Sequence, residues 1–249
     1  MVKWKTKISD STDEGTSVRG YSLEELVGKI SYAEMVYLLL RGKLPTAEEG
    51  KMVDSILVSV AEHSIGTPSI MSARTAASGS GSFVQGLAAG ILAIGEHHGG
   101  AGEGCAKVLQ ENLGKTAGDV VSAFSAKKER LPGYGHKVYT TDPRTHKLFK
   151  LAKELGIFGS YCNFALELEK ELEKSQGKKL CLNVDGAIAA IISEMGFHWR
   201  VAKAFFVIPR TAGISAHVIE ELTEEKPFAK RLESSEYEYT GERGKNLGK

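Results

Sequence analysis

Four segments of the chain set reactive or charged side chains beside glycines: GEHHGGAGE (residues 95–103), LPGYGHKVY (131–139) with TDPR (141–144), LNVDG (182–186) and PRTAG (209–213). Within them stand His98, His136, Arg144, Asp185 and Arg210. Two histidines, a carboxylate and two arginines are what a carbon–carbon bond reaction at a carbonyl needs. The carboxylate removes or returns a proton beside a thioester or ketone. One histidine donates a hydrogen bond to the developing enolate oxygen, and the other handles the carbonyl or hydroxyl oxygen. Arginines grip substrate carboxylates in bidentate pairs, each charged hydrogen bond contributing roughly 1.5–3 kcal/mol. Glycines let backbone N–H groups come close to a phosphate or thioester.

Each of these residues also has a plainer reading, and both readings stand at the level of sequence. His98 before Gly-Gly can be a histidine at a helix C-terminus, favoured there by the macrodipole. The GYGH segment can be a turn that uses positive φ at Gly133 and Gly135. Asp142 reads as a helix N-cap, and Asp185 as the N-cap of GAIAAIISEM. Arg210 can be a first-turn arginine in a surface ion pair worth less than about 1 kcal/mol. The run Lys127-Lys-Glu-Arg130 reads as a solvated face.

The elements that must carry these groups are helical. Ser31 to Glu34 has the capping-box form ahead of a helix ending at Gly42, and Thr46 to Glu49 repeats it ahead of GKMVDSILVSVAEH. Asp142-Pro143 opens a helix that Gly156 stops. Further helices are expected from about Tyr161 to Lys174, Gly186 to Met195 and Arg210 to Glu224. Residues 63–81 read as a loop followed by a small-residue helix, and Gly86 and Gly90 as a point of close helix approach. No sustained period-two run or Asn-Gly hairpin occurs, so the expected fold is all-α. The stretch from Ser234 onward reads as a polar, extended tail.

Composition excludes several classes. The 249 residues carry 32 basic and 31 acidic side chains, a net charge of +1, without the basic excess of a nucleic-acid binder. Cys105, Cys162 and Cys181 are odd in number and form no CxxC, which fits a reducing cytoplasm and neither a disulfide framework nor a zinc ribbon. The N-terminal residues show no apolar run of a signal peptide, and GLAAGILAIG (86–95) is too short to span a bilayer, which takes about 20 residues. A soluble, cytoplasmic protein with no membrane partner is therefore expected. GGAGEG lacks the GxGxxG spacing, Leu109 stands where a phosphate loop ending at Thr116 needs glycine, and neither GxSxG nor HExxH is present. No metal site is expected.

The order HGGA, GYGH with DPR, NVD and RTAG resembles the citrate synthase family. The opening GYSLEELVGKISYAEMVYLLLRGKLPTAEE and the small-residue helix SIMSARTAASGS are similar to that family too, and the match runs from about Arg19 to about Lys230. The resemblance implies an all-α fold with a large domain (1–98 and 200–249), a small domain (99–199) closing over substrate, and a homodimer or higher homo-oligomer. It implies that His98 bonds the thioester carbonyl and its enol, that His136 serves the keto or hydroxyl oxygen, and that Asp185 is the acid or base at carbon. Arg144 and Arg210 would hold a dicarboxylate. Leu131, Pro132, Gly133, Tyr134 and Gly135 would lie along coenzyme A, with Asn183 a further contact. Coenzyme A enters as a thioester substrate, with no permanently bound cofactor.

The chain departs from the synthases in being short, with only about 25 residues from Pro45 to Ser69. Gly102 replaces asparagine, Leu182 proline and Pro209 serine, and Lys226 stands where the partner-donated arginine of the synthases is found. NFALELEKELEKSQGKKLCLNVDG (163–186) is similar to the citryl-CoA-cleaving module of ATP-citrate lyase. The implied activity is that of a citryl-CoA lyase, forming acetyl-CoA and oxaloacetate, with a separate citryl-CoA synthetase as a possible partner. A compact citrate synthase is the alternative, and a non-catalytic CoA-binding homologue a third reading.

Overall fold

The computed structural model describes residues 3–136, 140–228 and 232–247. A small antiparallel meander comes first: β1 (Ser9–Thr12), β2 (Gly15–Val18) and β3 (Tyr21–Ser22), in the order β1-β2-β3. Its strands are short, polar and mostly exposed, so no alternating apolar pattern marks them. Among the described residues this small sheet departs from the all-α expectation.

The helices follow as α1 (Leu23–Leu26), α2 (Tyr32–Arg41), α3 (Ala47–Val60), α4 (Pro68–Ser80), α5 (Phe83–Leu92) and α6 (Ala101–Asn112). Then come α7 (Ala117–Ala126), α8 (Pro143–Glu154), α9 (Ser160–Gln176), α10 (Val184–Glu194) and α11 (Ala202–Glu224). The two expected capping boxes form, at Ser31 with Glu34 and at Thr46 with Glu49, and Gly42 ends α2 at φ 80°. Asp142 caps α8 with Pro143 in its first turn.

Two of the sequence readings are corrected. Asn183, not Asp185, caps α10: its side chain accepts from the Gly186 N–H, and Asp185 falls inside the first turn. And α11 begins at Ala202 rather than Arg210, passing through Pro209. Proline in a helix interior costs about 3 kcal/mol. Here tertiary burial outweighs it, because Phe205, Ile214 and Val218 on the same helix are fully buried.

Two apolar clusters position the site. The larger draws on α2, α3, α6, α9 and α10. At its centre α10 is buried from Val184 to Ser193 but for Asp185, and packs on α6, α8 and α9. The smaller cluster joins Ile70, Ala73 and Ala77 of α4 to Ile214 and Val218 of α11, with α5 alongside. The close approach expected at Gly86 and Gly90 occurs: a Cβ at Gly90 would lie 2.7 Å from Ile214 Cγ2, and one at Gly86 2.9 Å from Ala77 Cβ.

Candidate active site

Side chains from the N-termini of α8 and α10, the loop before α6, the loop after α3 and the middle of α11 lie close enough to act on one another's charge. Asp185 sits in the first turn of α10, where the helix dipole favours a carboxylate. Its side chain is partly buried. Burial holds its carboxyl above the ordinary carboxylate range against the pull of Arg144 and Arg210; Asp142 adds to the rise and His136 opposes it. A carboxyl so placed can carry a proton at milder pH than a free aspartate.

His98 is not at a helix C-terminus, since α5 ends at Leu92. It lies in a tight loop closed by paired backbone bonds between Gly95 and His98. Its Nε2 is 2.8 Å from Ser69 Oγ on α4, and its ring meets Phe206 of α11 edge to face with centroids 5.6 Å apart. Burial lowers its pKa, with Arg210 and then His63 acting in the same direction, so the imidazole is held neutral.

Arg210 is no surface arginine: it is 2% exposed, in the middle of α11. Its Nε and Nη2 donate to the Val60 carbonyl at 3.0 and 2.9 Å, and Phe206 lies under the guanidinium at 4.8 Å. Nη1 is buried with no hydrogen-bond partner among the described residues. An unpaired buried donor is costly, and a ligand carboxylate would satisfy it. Burial lowers the pKa of this arginine, with Glu62 and Asp185 opposing the shift.

Arg144, in the first turn of α8, is anchored on Asp142 through Nε at 3.1 Å and Nη2 at 2.8 Å. Asp142 is 1% exposed and so serves as more than a cap. Burial pushes its carboxyl up, but the bonds and charge of Arg144 and the Val184 N–H bring it below its ordinary value.

The 131–135 loop is stitched to the start of α10. Gly133 (φ 86°) accepts from the Asn183 N–H at 3.0 Å, and Gly135 donates to the Cys181 carbonyl at 2.7 Å. A Cβ at Gly133 would stand 2.7 Å from Cys105 Sγ and 3.0 Å from Gly186 Cα, so only glycine fits. Asn183 spends both ends of its amide on protein, accepting from Gly186 and donating to the Gly135 carbonyl at 3.0 Å. Leu131 is buried, Pro132 packs against Gly104, and the Tyr134 hydroxyl donates to the Ala165 carbonyl at 2.9 Å. Burial pushes the Tyr134 phenol well above its ordinary pKa, so it stays neutral. The loop borders a cavity of about 390 Å³ whose wall includes Arg130, Tyr134, His136 and Lys178. Lys137, Val138 and Tyr139, which end the second sequence segment, lie outside the described residues.

His63 was missed in the sequence, where it opens a stretch read as a loop. Its ring stands 6.3 Å from that of His136 at 79°. Partial burial lowers its pKa, followed by Arg144, Arg210 and His136, with Asp142 opposing. A solitary histidine between Glu62 and Ser64 carries no spacing signal; only the fold brings it to the arginines. Among the described residues no group of three or more His, Cys, Asp or Glu side chains has metal-binding geometry. No helix there is long and apolar enough to cross a membrane.

The helical frame that carries these side chains is shared with the citrate synthases. The chain belongs to the citrate synthase family: residues 1–55 and 47–231 match the family model "Citrate synthase, C-terminal domain". It is 30% identical over 214 residues to citrate synthase 2 of Bacillus subtilis, across 84% of this chain and 56% of that protein. It is 32% identical over 208 residues to a citrate synthase of Synechocystis, across 80% of this chain and 52% of that one. The chain thus spans about half the length of the curated relatives it matches. Among solved structures, citryl-CoA lyase from Hydrogenobacter thermophilus superposes with a TM-score of 0.95 at 47% identity, covering 98% of this chain and 97% of that one. Citrate synthase from Thermotoga maritima superposes at 0.68 with 26% identity, covering 89% and 60%.

Proposed function

We propose that this protein is a citryl-CoA lyase, cleaving citryl-CoA to acetyl-CoA and oxaloacetate. The observation that carries the reading is the likeness to the Hydrogenobacter citryl-CoA lyase over nearly the whole of both chains. In the cleavage direction His136 accepts the proton of the substrate's tertiary hydroxyl. The bond between the carbinol carbon and the thioester's α-carbon breaks, leaving the keto group of oxaloacetate. Its electron pair passes into the enolate of acetyl-CoA, whose oxygen His98 stabilises as a neutral donor. Asp185, whose carboxyl pKa burial raises, gives a proton to the α-carbon. Arg144 and the Nη1 of Arg210 hold the substrate carboxylates, and His63 joins them as a third donor.

Arg130 and Lys178 beside the 131–135 loop suit the phosphates of coenzyme A, which enters as substrate; no permanently bound cofactor is invoked. His63, His98 and Arg210 come from residues 1–98 and 200–249, while His136, Arg144 and Asp185 come from 99–199. Closure of the second part on the first would keep the enol from water. The α4–α5 pair leaves Met71, Val84 and Leu92 at 56%, 71% and 84% exposure, the apolar area a homodimer would cover. A separate citrate-activating ligase would supply the substrate.

A second reading, a compact citrate synthase, is favoured by the curated relatives, which are citrate synthases. The two differ in whether water reaches the citryl thioester. Purified protein is offered citryl-CoA, and separately acetyl-CoA with oxaloacetate. A lyase releases oxaloacetate from the first with no free thiol; a synthase releases CoA thiol from the second. Neither product would sink both readings.

A further inference from the structure

The α3–α4 loop that bears His63 is exposed; Thr67 closes its far end on the Ser64 carbonyl through its N–H and its hydroxyl, and its near end is held less closely. Ala61 reaches back to the Val58 carbonyl only at 3.4 Å, and Ser64 adopts φ 80°. One face of α11 supplies the missing support, residue against residue. Arg210 holds the Val60 carbonyl with two N–H groups. Gly213 lies so close beneath Ala61 that a Cβ there would collide with the Ala61 carbonyl oxygen and stand 2.6 Å from Glu62 Oε2. His217 brings its Nε2 to 3.3 Å from Glu62 Oε1, and its Nδ1 lies 3.5 Å from Glu220. Glu62 in turn accepts from the Ser64 N–H, so its carboxylate brackets His63 from both sides in sequence. Phe206, one turn before Arg210, packs on His98.

We propose that His217 is a positioning residue: by holding Glu62 it sets the place of His63, so that α11 aligns His63 and His98 along a single face. The inference rests on the proposed substrate site, in which His63 meets a carboxylate. His217 itself faces Glu62 and Glu220, and the proposed mechanism gives it no contact with a reacting atom. Because the Glu62 side chain is 44% exposed, the pair adds little to stability. Its effect is geometric, and displacement of a binding group by about 1 Å can cost a hundredfold in rate.

The test uses the full chain. Histidine-ring NMR signals are recorded for the parent, His217→Leu, His217→Gln, Glu62→Gln and the exposed control His146→Gln. In His217→Leu and Glu62→Gln the His63 ring signals shift, whereas His146→Gln leaves them in place. For citryl-CoA, kcat/KM falls by about ten- to a hundredfold in both variants, and the double variant loses no more than either single. His217→Gln, which keeps an N–H donor, recovers most of the loss. Folded His217→Leu with unmoved His63 signals, or losses that multiply in the double variant, would overturn the proposal. Should His217→Leu not fold, the His63 signals of Glu62→Gln decide in its place: a shift supports the proposal, and unmoved signals overturn it. The ring signals do not require turnover, so a parent inactive on citryl-CoA overturns the lyase reading alone.

Discussion

Asp142 binds Arg144 and the helix of Asp185 with one carboxylate. Its Oδ2 lies 2.8 Å from Arg144 Nη2 and 3.1 Å from the Val184 N–H, the residue next to Asp185. The arginine proposed to hold substrate and the aspartate proposed to move the proton therefore share an anchor.

Asp142→Asn is expected to loosen both at once. The amide retains one acceptor but loses the charge, so kcat/KM falls about ten- to a hundredfold. Stability in urea falls by about 1–3 kcal/mol, because a buried charge-assisted pair is broken. Since the folded pKa of Asp142 is depressed below 3.8, its contribution is present above that pH and is lost as pH falls through the folded value. The variant should accordingly show a flatter acid limb. Equal acid limbs in urea titrations of parent and variant would contradict the role.

Cleavage and condensation should respond to pH in opposite senses. Cleavage needs Asp185 protonated to supply the α-carbon, while condensation needs the carboxylate to remove that proton. With the Asp185 pKa raised from 3.8 by burial, kcat for cleavage declines as pH rises through the folded value, and kcat for condensation declines as pH falls through it. Asp185→Asn should lower both by about 10² or more, within the range general acid–base catalysis supplies, while coenzyme A binding persists. Rate profiles in the two directions check this; a cleavage rate that climbs with pH across the Asp185 transition would assign the proton elsewhere.

His98 links site and stability. Its folded pKa lies below 6.5, so the unfolded chain binds the extra proton first. Stability carried by the neutral ring is full above 6.5 and is lost as pH falls through the folded value. His98→Gln should reduce the fall in Tm on acidification. Ser69→Ala, which removes the hydroxyl 2.8 Å from Nε2, should instead lower kcat with little change in KM, because the ring is no longer oriented. Thermal melts from about pH 7.5 to 5, spanning the ordinary histidine range, and steady-state rates separate the two effects.

What could be read in the sequence was local. The boxes at Ser31 and Thr46 and the Asp142-Pro143 start rest on contacts within one turn, and they formed as expected. The order of HGGA, GYGH, NVD and RTAG pointed to the family to which the chain belongs, because each motif is legible within a few residues. His63 was out of reach, since its place depends on Arg210 and His217, which stand far along the chain on α11. The burial of Arg210 was hidden for the same reason, as was the continuity of α11 through Pro209, where packing overrides propensity. The meander of β1 to β3 left no pattern because its faces are polar.

Two glycine substitutions should have opposite signs. At Gly90 a Cβ would stand 2.7 Å from Ile214 Cγ2 and 3.0 Å from both Ala73 Cβ and the Ser69 carbonyl, so α4, α5 and α11 have no room to receive it. Gly90→Ala is expected to cost about 1–3 kcal/mol, as overpacking does. It should also lower kcat, since the strain falls on Ser69, which orients His98. Gly79 lies in the last turns of α4, with ordinary helical φ and nothing within 4 Å of a new Cβ. There alanine has only its greater helix propensity to contribute, so Gly79→Ala should raise stability by up to about 1 kcal/mol and leave kcat unchanged. Urea unfolding with parallel kinetics would test the pair, and a Gly90→Ala protein as stable and active as the parent would show that α4 and α5 are not packed at this distance.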